Sequence, residues 1–270
     1  MKLVLFSGTH PRHLFVNREL LNFFEDILVV IMQREELLPQ PPKNISEIDK
    51  SLFIKHFKNR DIVEQKTYGN LNYKQVFKDQ KKIYVKPEQL NSSYLADEIE
   101  EFDADIAFIF GVDLILDPVI SKLPKNKINL HLGLSPWYKG AATLFWPFYF
   151  LQPQFAGFTF HQITKNPDEG EIIHQSIPSL KLGDTIHDVG AKCVKQAKND
   201  LMVLMNKFKT EKNFVGKKQT TSGRVWRRKD FDVSHLRLIY DYYNDDIVDQ
   251  FLNGFLSQEK PFLFSCLNEN

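Results

Sequence analysis

The sequence predicts an α/β fold: a mostly parallel sheet covered by helices, with a short C-terminal appendage. Three observations lead there. Apolar runs at residues 3–7, 27–32 and 105–110 lack polar alternation, as strands buried on both faces do. Helical spacing of apolar side chains fills stretches between them, as at Tyr94, Leu95, Ile99 and Phe102. Gly8 and Gly111 follow two of the runs directly, where strands give way to loops. Alternating strand and helix through residue 131 gives a parallel sheet of Rossmann-like type. Ligands of such sheets bind outside the carboxyl ends of the strands. Gly8, Gly111 and His131 all fall there, so three strand ends point to one cleft.

Taken in order, the first strand ends in the loop Gly8-Thr9-His10-Pro11-Arg12-His13, which opens a helix reaching residue 24. Amides at a helix start, with His10, Arg12 and His13 close by, suit a phosphate. The plainer alternative is that Pro11 simply starts the helix. Neither G-x-G-x-x-G nor G-K-[ST] is present, so dinucleotide and P-loop readings have no motif. After the strand at 27–32 the pattern loosens from 33 to 80. A proline-rich piece (Pro39, Pro41, Pro42) precedes helical spacing over 45–57, to which the sequence assigns no role. A strand at 83–85, a helix at 91–102, the strand at 105–110 and a short helix at 118–123 follow. The sequence predicts an aromatic-rich buried helix over 141–150 and strands over 155–163 and 171–180. It then predicts a long helix capped by Asp184, with Ile186, Val189, Val194, Ala197, Leu201, Leu204 and Phe208 on one face. The lysine-rich 207–218 is the expected boundary between a catalytic domain, 1–208, and a small extension, 209–270. The extension carries an amphipathic helix near 245–255. Its basic cluster (Arg224, Arg227, Arg228, Lys229) reads first as a solvated face.

Composition narrows the classes. The 270 residues are 43% hydrophobic and 26% charged, an ordinary globular balance. Lys and Arg number 35 against 34 acidic residues, so no global electrostatic footprint for nucleic acid appears. The apolar start at 3–6 is too short for a signal peptide or a membrane span, and a cytoplasmic location without membrane contact is expected. Cys193 and Cys266 have neither metal-ligand nor disulfide spacing, and no metal is expected. Most of the 23 Phe are expected in the core, with a few to line a planar ligand's pocket, and aromatic-rich exposed segments leave a homodimer open.

The chemistry concentrates in Lys127-Ile-Asn-Leu-His-Leu-Gly-Leu-Ser-Pro-Trp-Tyr-Lys-Gly140. Alternation places Asn129 and His131 on one face of a strand end, an amide donor beside a base. Asp168 follows in the turn of Asn166-Pro-Asp-Glu-Gly-Glu-Ile-Ile173. Such a trio suits acyl transfer to an amine: Asn129 donates to the oxyanion, His131 acts as base or as protonated oxyanion donor, and Asp168 accepts from His131. His161 and His174, on either side of this turn, read as strand residues.

The run N-x-H-x-x-x-[SL]-P-x-Y-[KR]-G followed by D-x-G-x-I-I resembles the signature of the N10-formyltetrahydrofolate-dependent formyltransferases, over about 104–175. Gly133 and Trp137 depart from the commoner choices in that turn. The resemblance implies catalytic Asn129, His131 and Asp168, and N10-formyltetrahydrofolate as co-substrate. It implies a folate wall of Phe110, Gly111, Val112 and Asp113 near Asp168, and acceptor contacts from the turn Pro136, Tyr138, Lys139 and Gly140. It also suggests a nucleotide-linked amino sugar as acceptor, such as a dTDP-4-amino-4,6-dideoxyhexose. The tail is too short for a tRNA-directed barrel, and the 9–13 loop and 226–231 tail look like those of sugar-directed relatives. Formylation of methionyl-tRNA or glycinamide ribonucleotide, hydrolysis of the donor, and a non-catalytic folate- or nucleotide-binding module are the competing readings.

Overall fold

The computed structural model describes residues 1–33, 38–221 and 223–267; part of the loosened stretch, 34–37, lies outside them. Seven strands form one sheet: β1 (Lys2–Gly8), β2 (Asp26–Met32), β3 (Lys81–Val85), β4 (Ile106–Phe110), β5 (Asn126–His131), β7 (Phe158–Gln162) and β8 (Ile172–Ser176), in the order β3-β2-β1-β4-β5-β7-β8. The first five run parallel, while β7 pairs antiparallel with β5, and β8 with β7. β1 and β4 are buried almost throughout, which is why their sequences do not alternate. β6 (Lys139–Gly140) pairs parallel with β9 (Val225–Trp226) in a separate two-stranded ribbon.

Helices cover both faces. α1 (Pro11–Asn17), α2 (Glu47–Tyr68) and α7 (Ile186–Glu211) share one core with Phe108 and Phe160 of the sheet. On the other face α4 (Ser93–Phe102) and α5 (Val119–Lys122) close a smaller core. The shorter helices are α3 (Tyr73–Val76), α6 (Trp146–Tyr149) and α8 (Ile247–Leu252). The tail adds Trp226, Val233, Leu236, Ile239, Ile247 and Val248 to the larger core.

Several sequence expectations need correction. The helix expected over 45–57 runs from Glu47 to Tyr68, started by Ser46, whose Oγ accepts from the Asp49 amide at 3.1 Å. It buries only a narrow stripe, so tertiary ties matter: Arg237 grips Asp49 with two bonds, 2.8 and 2.9 Å. Residues 141–150 are not one helix. The Ala141 amide bonds the Trp226 carbonyl at 2.7 Å and Ala142 sits at φ 56°, so the backbone bridges to β9 before it winds at Trp146. A 3-10 turn at Pro153–Phe155 delays β7 to Phe158. β8 stops at Ser176; two residues on, Pro178 has no N–H to offer a ladder. α7 is capped by Thr185, whose Oγ accepts from the Asp188 amide at 3.2 Å; Asp184 instead pairs with Lys192. α7 extends to Glu211, into the stretch expected to be a connection.

Candidate active site

β5 carries Asn129 and His131 to its carboxyl end, where they line a cavity of about 1090 Å³. The turn after β5 is pinned by a buried network. Thr159 Oγ1 donates to the Gly133 carbonyl at 2.7 Å and accepts from the Ser135 amide at 3.1 Å; Gln175 donates to the Ser135 carbonyl at 2.6 Å. Gly133, the unusual residue of the turn, is required here. A Cβ would lie 2.5 Å from His131 Nε2 and 2.6 Å from the Tyr138 carbonyl. That is the space of the bond His131 Nε2 donates to Tyr138 O at 2.7 Å. The bond fixes the proton on Nε2 and leaves Nδ1 facing Asp168 Oδ2 at 3.4 Å.

Asp168 occupies the left-handed region at φ 52°, which a short polar side chain tolerates. Its Oδ2 accepts from the Gly140 amide at 2.7 Å, and Gln219 donates to its carbonyl at 2.6 Å and to that of Gly170 at 2.9 Å. Burial pushes the Asp168 carboxyl up, but the His131 charge, the His161 hydrogen bond and the Gly140 amide together outweigh it and hold it well below the usual carboxylate range. Burial pushes the His131 imidazole down, opposed by Asp168 and the Tyr138 carbonyl. The arrangement is a buried imidazole, neutral at rest, whose open nitrogen gains an ionised carboxylate neighbour once it takes a proton.

His161, read from the sequence as an ordinary strand residue, belongs to the site. Antiparallel pairing sets it directly opposite Asn129. Its Nδ1 donates to the Gln162 carbonyl at 2.8 Å, and its Nε2 lies 3.1 Å from Asn129 Nδ2 and 3.2 Å from Asp168 Oδ1. His161 Nε2 thus sits between the Asn129 amide and the Asp168 carboxylate and fixes the position of both. Alternation in 158–162 carried that signal, but the partner and register did not.

The other expected residues separate. Phe110, Gly111, Val112 and Asp113 line the cavity, with Gly111 at φ 88°. Asn91 holds the loop that follows, donating to Leu114 O at 3.0 Å and accepting from the Leu116 amide at 2.7 Å. Val112, Ile115 and Ile163 add an apolar stretch to the cavity lining beside it. Arg12 and His13 line the cavity, and His10 is outside its lining, against the His13 ring. His13 is wedged at the β1 and β4 ends, where a Cβ on Gly8 or Gly111 would meet its ring at 2.3 Å. Gly140 lines the cavity, whereas Pro136, Tyr138 and Lys139 support the turn. Tyr138 donates to Gln152 at 3.1 Å, and the fully buried Lys139 reaches Glu169 at 3.1 Å. Arg227 and Arg228 of the basic cluster also line the cavity, Arg228 pairing with Asp113 at 2.9 Å. Arg224 stacks on Trp226 at 3.7 Å, and Trp226 on Trp146 at 4.1 Å. Among the described residues no group of three or more His, Cys, Asp or Glu is arranged to hold a metal ion, and no helix is long and apolar enough to cross a membrane.

Residues 51–205 match the family described as Formyl transferase. Among solved structures, the chain is similar to the formyltransferase PseJ from Anoxybacillus kamchatkensis, at 20% identity over 92% of this chain and 96% of that one, TM-score 0.52. It is also similar to a 4-N formyltransferase from Francisella tularensis, at 16% identity over 85% and 77%, TM-score 0.55. A phosphoribosylglycinamide formyltransferase from Bacillus halodurans matches at 12% identity over 79% and 97%, TM-score 0.53. At these identities the structural likeness is one of fold.

Proposed function

Because this chain belongs to the formyl transferase family, we propose that it transfers the formyl group of N10-formyltetrahydrofolate to the primary amine of a nucleotide-linked amino sugar. The observation that carries the reading is the meeting of Asn129, His131 and Asp168 at one end of one cavity. The acceptor amine attacks the formyl carbon as the carbonyl π bond opens onto oxygen. Asn129 Nδ2 donates to that oxygen; one preorganised donor is worth about 3–4 kcal/mol in such a transition state. His131 Nδ1 takes the proton from the attacking nitrogen, and ionised Asp168 steadies the imidazolium. The bond from carbon to N10 then breaks, N10 receives a proton, and tetrahydrofolate leaves with the formamide formed. Residues 110–113 form the wall for the folate ring.

Two features support a sugar nucleotide over the smaller ribonucleotide. PseJ, whose structure contains UDP-4,6-dideoxy-4-formamido-L-AltNAc and tetrahydrofolate, matches this chain over 92% of its length. The Bacillus halodurans enzyme matches 79%. The cavity also continues past the catalytic trio to residues of α1, α2 and the tail. The tail's contacts with the Asp168 turn and with β6 support reading 209–270 as a small extension of the catalytic domain, 1–208, with α7 running across the boundary to Glu211.

The test is mass spectrometry of N10-formyltetrahydrofolate with nucleotide-linked 3- and 4-amino sugars, glycinamide ribonucleotide and charged initiator tRNA. Formylation of an amino sugar is the expected result. Transfer only to the ribonucleotide or tRNA overturns the acceptor, and formate release without transfer to any amine overturns the transferase reading.

A further inference from the structure

The segment Phe264-Ser265-Cys266, for which the sequence predicts no element, lies along the outer edge of β8. The backbone N–H of Gln175 donates to the Phe264 carbonyl at 2.8 Å, and that of Cys266 to the Ile173 carbonyl at 3.0 Å. Ser265 Oγ lies 2.8 Å from His174 Nδ1, and the other nitrogen of that ring lies 2.9 Å from Asp200 Oδ2 of α7. Lys207, also of α7, donates to the Cys266 carbonyl at 2.6 Å. The segment is a strap fastened to both β8 and α7.

One side chain joins this strap to the turn after β5. His131, Thr159 and Gln175 stand in a single row across β5, β7 and β8, so they share a face of the sheet. Gln175 is buried, and every polar position of its amide is used. Its Nε2 donates to the Ser135 carbonyl at 2.6 Å and to Thr159 Oγ1 at 3.2 Å, while its Oε1 accepts from the Phe264 N–H at 3.3 Å. These partners fix which way the amide faces, because a backbone N–H needs an oxygen and a carbonyl needs an N–H. Thr159 Oγ1 accepts from Gln175 and from the Ser135 amide, so its own proton goes to the Gly133 carbonyl. Gly133 and Ser135 are thus held from the strap's side, and the turn they begin places the Tyr138 carbonyl that accepts from His131 Nε2.

We propose that the strap sets the turn after β5 through Gln175, which makes Gln175 a positioning residue for His131 and gives residues 264–266 a part in supporting the active site. The assignment rests on the role given to His131 above. Without the Gln175 amide, the Ser135 carbonyl and the Phe264 N–H lose a partner in a buried place, and the turn must shift to satisfy them. A shifted turn loosens the bond from His131 to the Tyr138 carbonyl. Burial pushes the His131 imidazole down, opposed by Asp168 and by that carbonyl, with His161 adding to the fall; loosening the bond therefore takes the imidazole further down.

NMR of the full chain labelled with 15N-histidine tests this without substrate, His131→Ala identifying the His131 signals. Gln175→Met keeps the length of the side chain and removes the amide. It is expected to lower the His131 titration midpoint, and to lower kcat roughly tenfold at little changed KM, less than the 10²-fold effect of a full ångström's misplacement. Phe264→Pro removes the strap's N–H together with the ring, and Phe264→Ala removes the ring alone. The proline variant is expected to move both readings in the same direction by a smaller factor, and the alanine variant to stay near wild type. A His131 midpoint that does not move in Phe264→Pro overturns the strap, whether or not Gln175→Met folds. A lower urea midpoint in Gln175→Met, with the His131 midpoint and kcat unchanged, overturns the positioning role. The two readings fail separately. Formylation of an amino sugar with His131 indifferent to Gln175 and Phe264 removes only the strap. A His131 midpoint that follows both residues, in a chain that formylates no amine, removes only the transferase reading.

Discussion

Gly140→Ala tests how the ribbon and the catalytic acid depend on each other. Gly140 sits at φ 91°, its amide donates to Asp168 Oδ2 at 2.7 Å, and a Cβ there would lie 2.1 Å from the Trp226 carbonyl oxygen. Relief requires that oxygen to retreat by about 1 Å, well beyond what close-packed neighbours give freely. The retreat also stretches the Ala141 bond to the same oxygen, now 2.7 Å, and shifts Trp226 on Trp146. Left-handed backbone costs an L-residue about 1–2 kcal/mol. Weakening a hydrogen bond to a charged group adds about 1.5–3 kcal/mol. The expected loss is therefore about 2.5–5 kcal/mol, read as a lower urea midpoint at unchanged slope. The displaced Asp168 should also lower kcat by about 10²-fold, the usual effect of a misplacement near 1 Å. Gly183→Ala is the control: Gly183 has φ 83° but nothing within 4 Å of where a Cβ would stand, so only the left-handed backbone cost of about 1–2 kcal/mol applies. Equal losses in the two variants would refute the reasoning.

Three further outcomes are expected. Asn129→Ala should lower kcat by about 10²–10³-fold with little change in the KM for either substrate, because its donor acts on the oxyanion; a pure KM effect would assign Asn129 to binding. With burial holding His131 down, the acid limb of kcat/KM should fall below the ordinary imidazole value of about 6.5, with activity lost as pH falls through it. Asp168→Asn should shift that limb further down, since the carboxylate raises the His131 value, and an upward shift would contradict it. Burial raises the Asp245 carboxyl to about 6, so its ionisation costs the folded state stability as pH rises from about 4 to about 6. Asp245→Asn keeps an acceptor for the Ile186 amide and the left-handed φ of 62°, and should stabilise by at most ~3 kcal/mol at about pH 7.5. That gain should vanish toward pH 4; a pH-independent gain would point elsewhere.

What the sequence made legible follows local rules. Buried parallel strands announce themselves by unbroken apolar runs, so β1, β2 and β4 were found to within a residue or two. The N-x-H spacing needed only one strand's alternation to put Asn129 and His131 on one face. His161 needed more: its place opposite Asn129 depends on β7 running antiparallel to β5 in one register, which no local signal carries. The same holds for Gln219 and Trp226, which reach the site through pairings across 51 residues and across the ribbon. The helix expected over 141–150 failed because propensity was overridden by the Trp226 carbonyl, a partner some eighty residues away.

The order in which the chain is made adds a consequence. The sheet, the Asn129–His131 pair on β5 and the Asp168 turn are all complete by residue 176, but the turn's clamp and the ribbon's second strand arrive only with Gln219 and Trp226. A ribosome-bound chain arrested between these points can fold its sheet while its acid turn still lacks that clamp. Catalytic competence should therefore lag behind secondary structure during synthesis, and would serve as a late reporter of folding in a way that circular dichroism cannot.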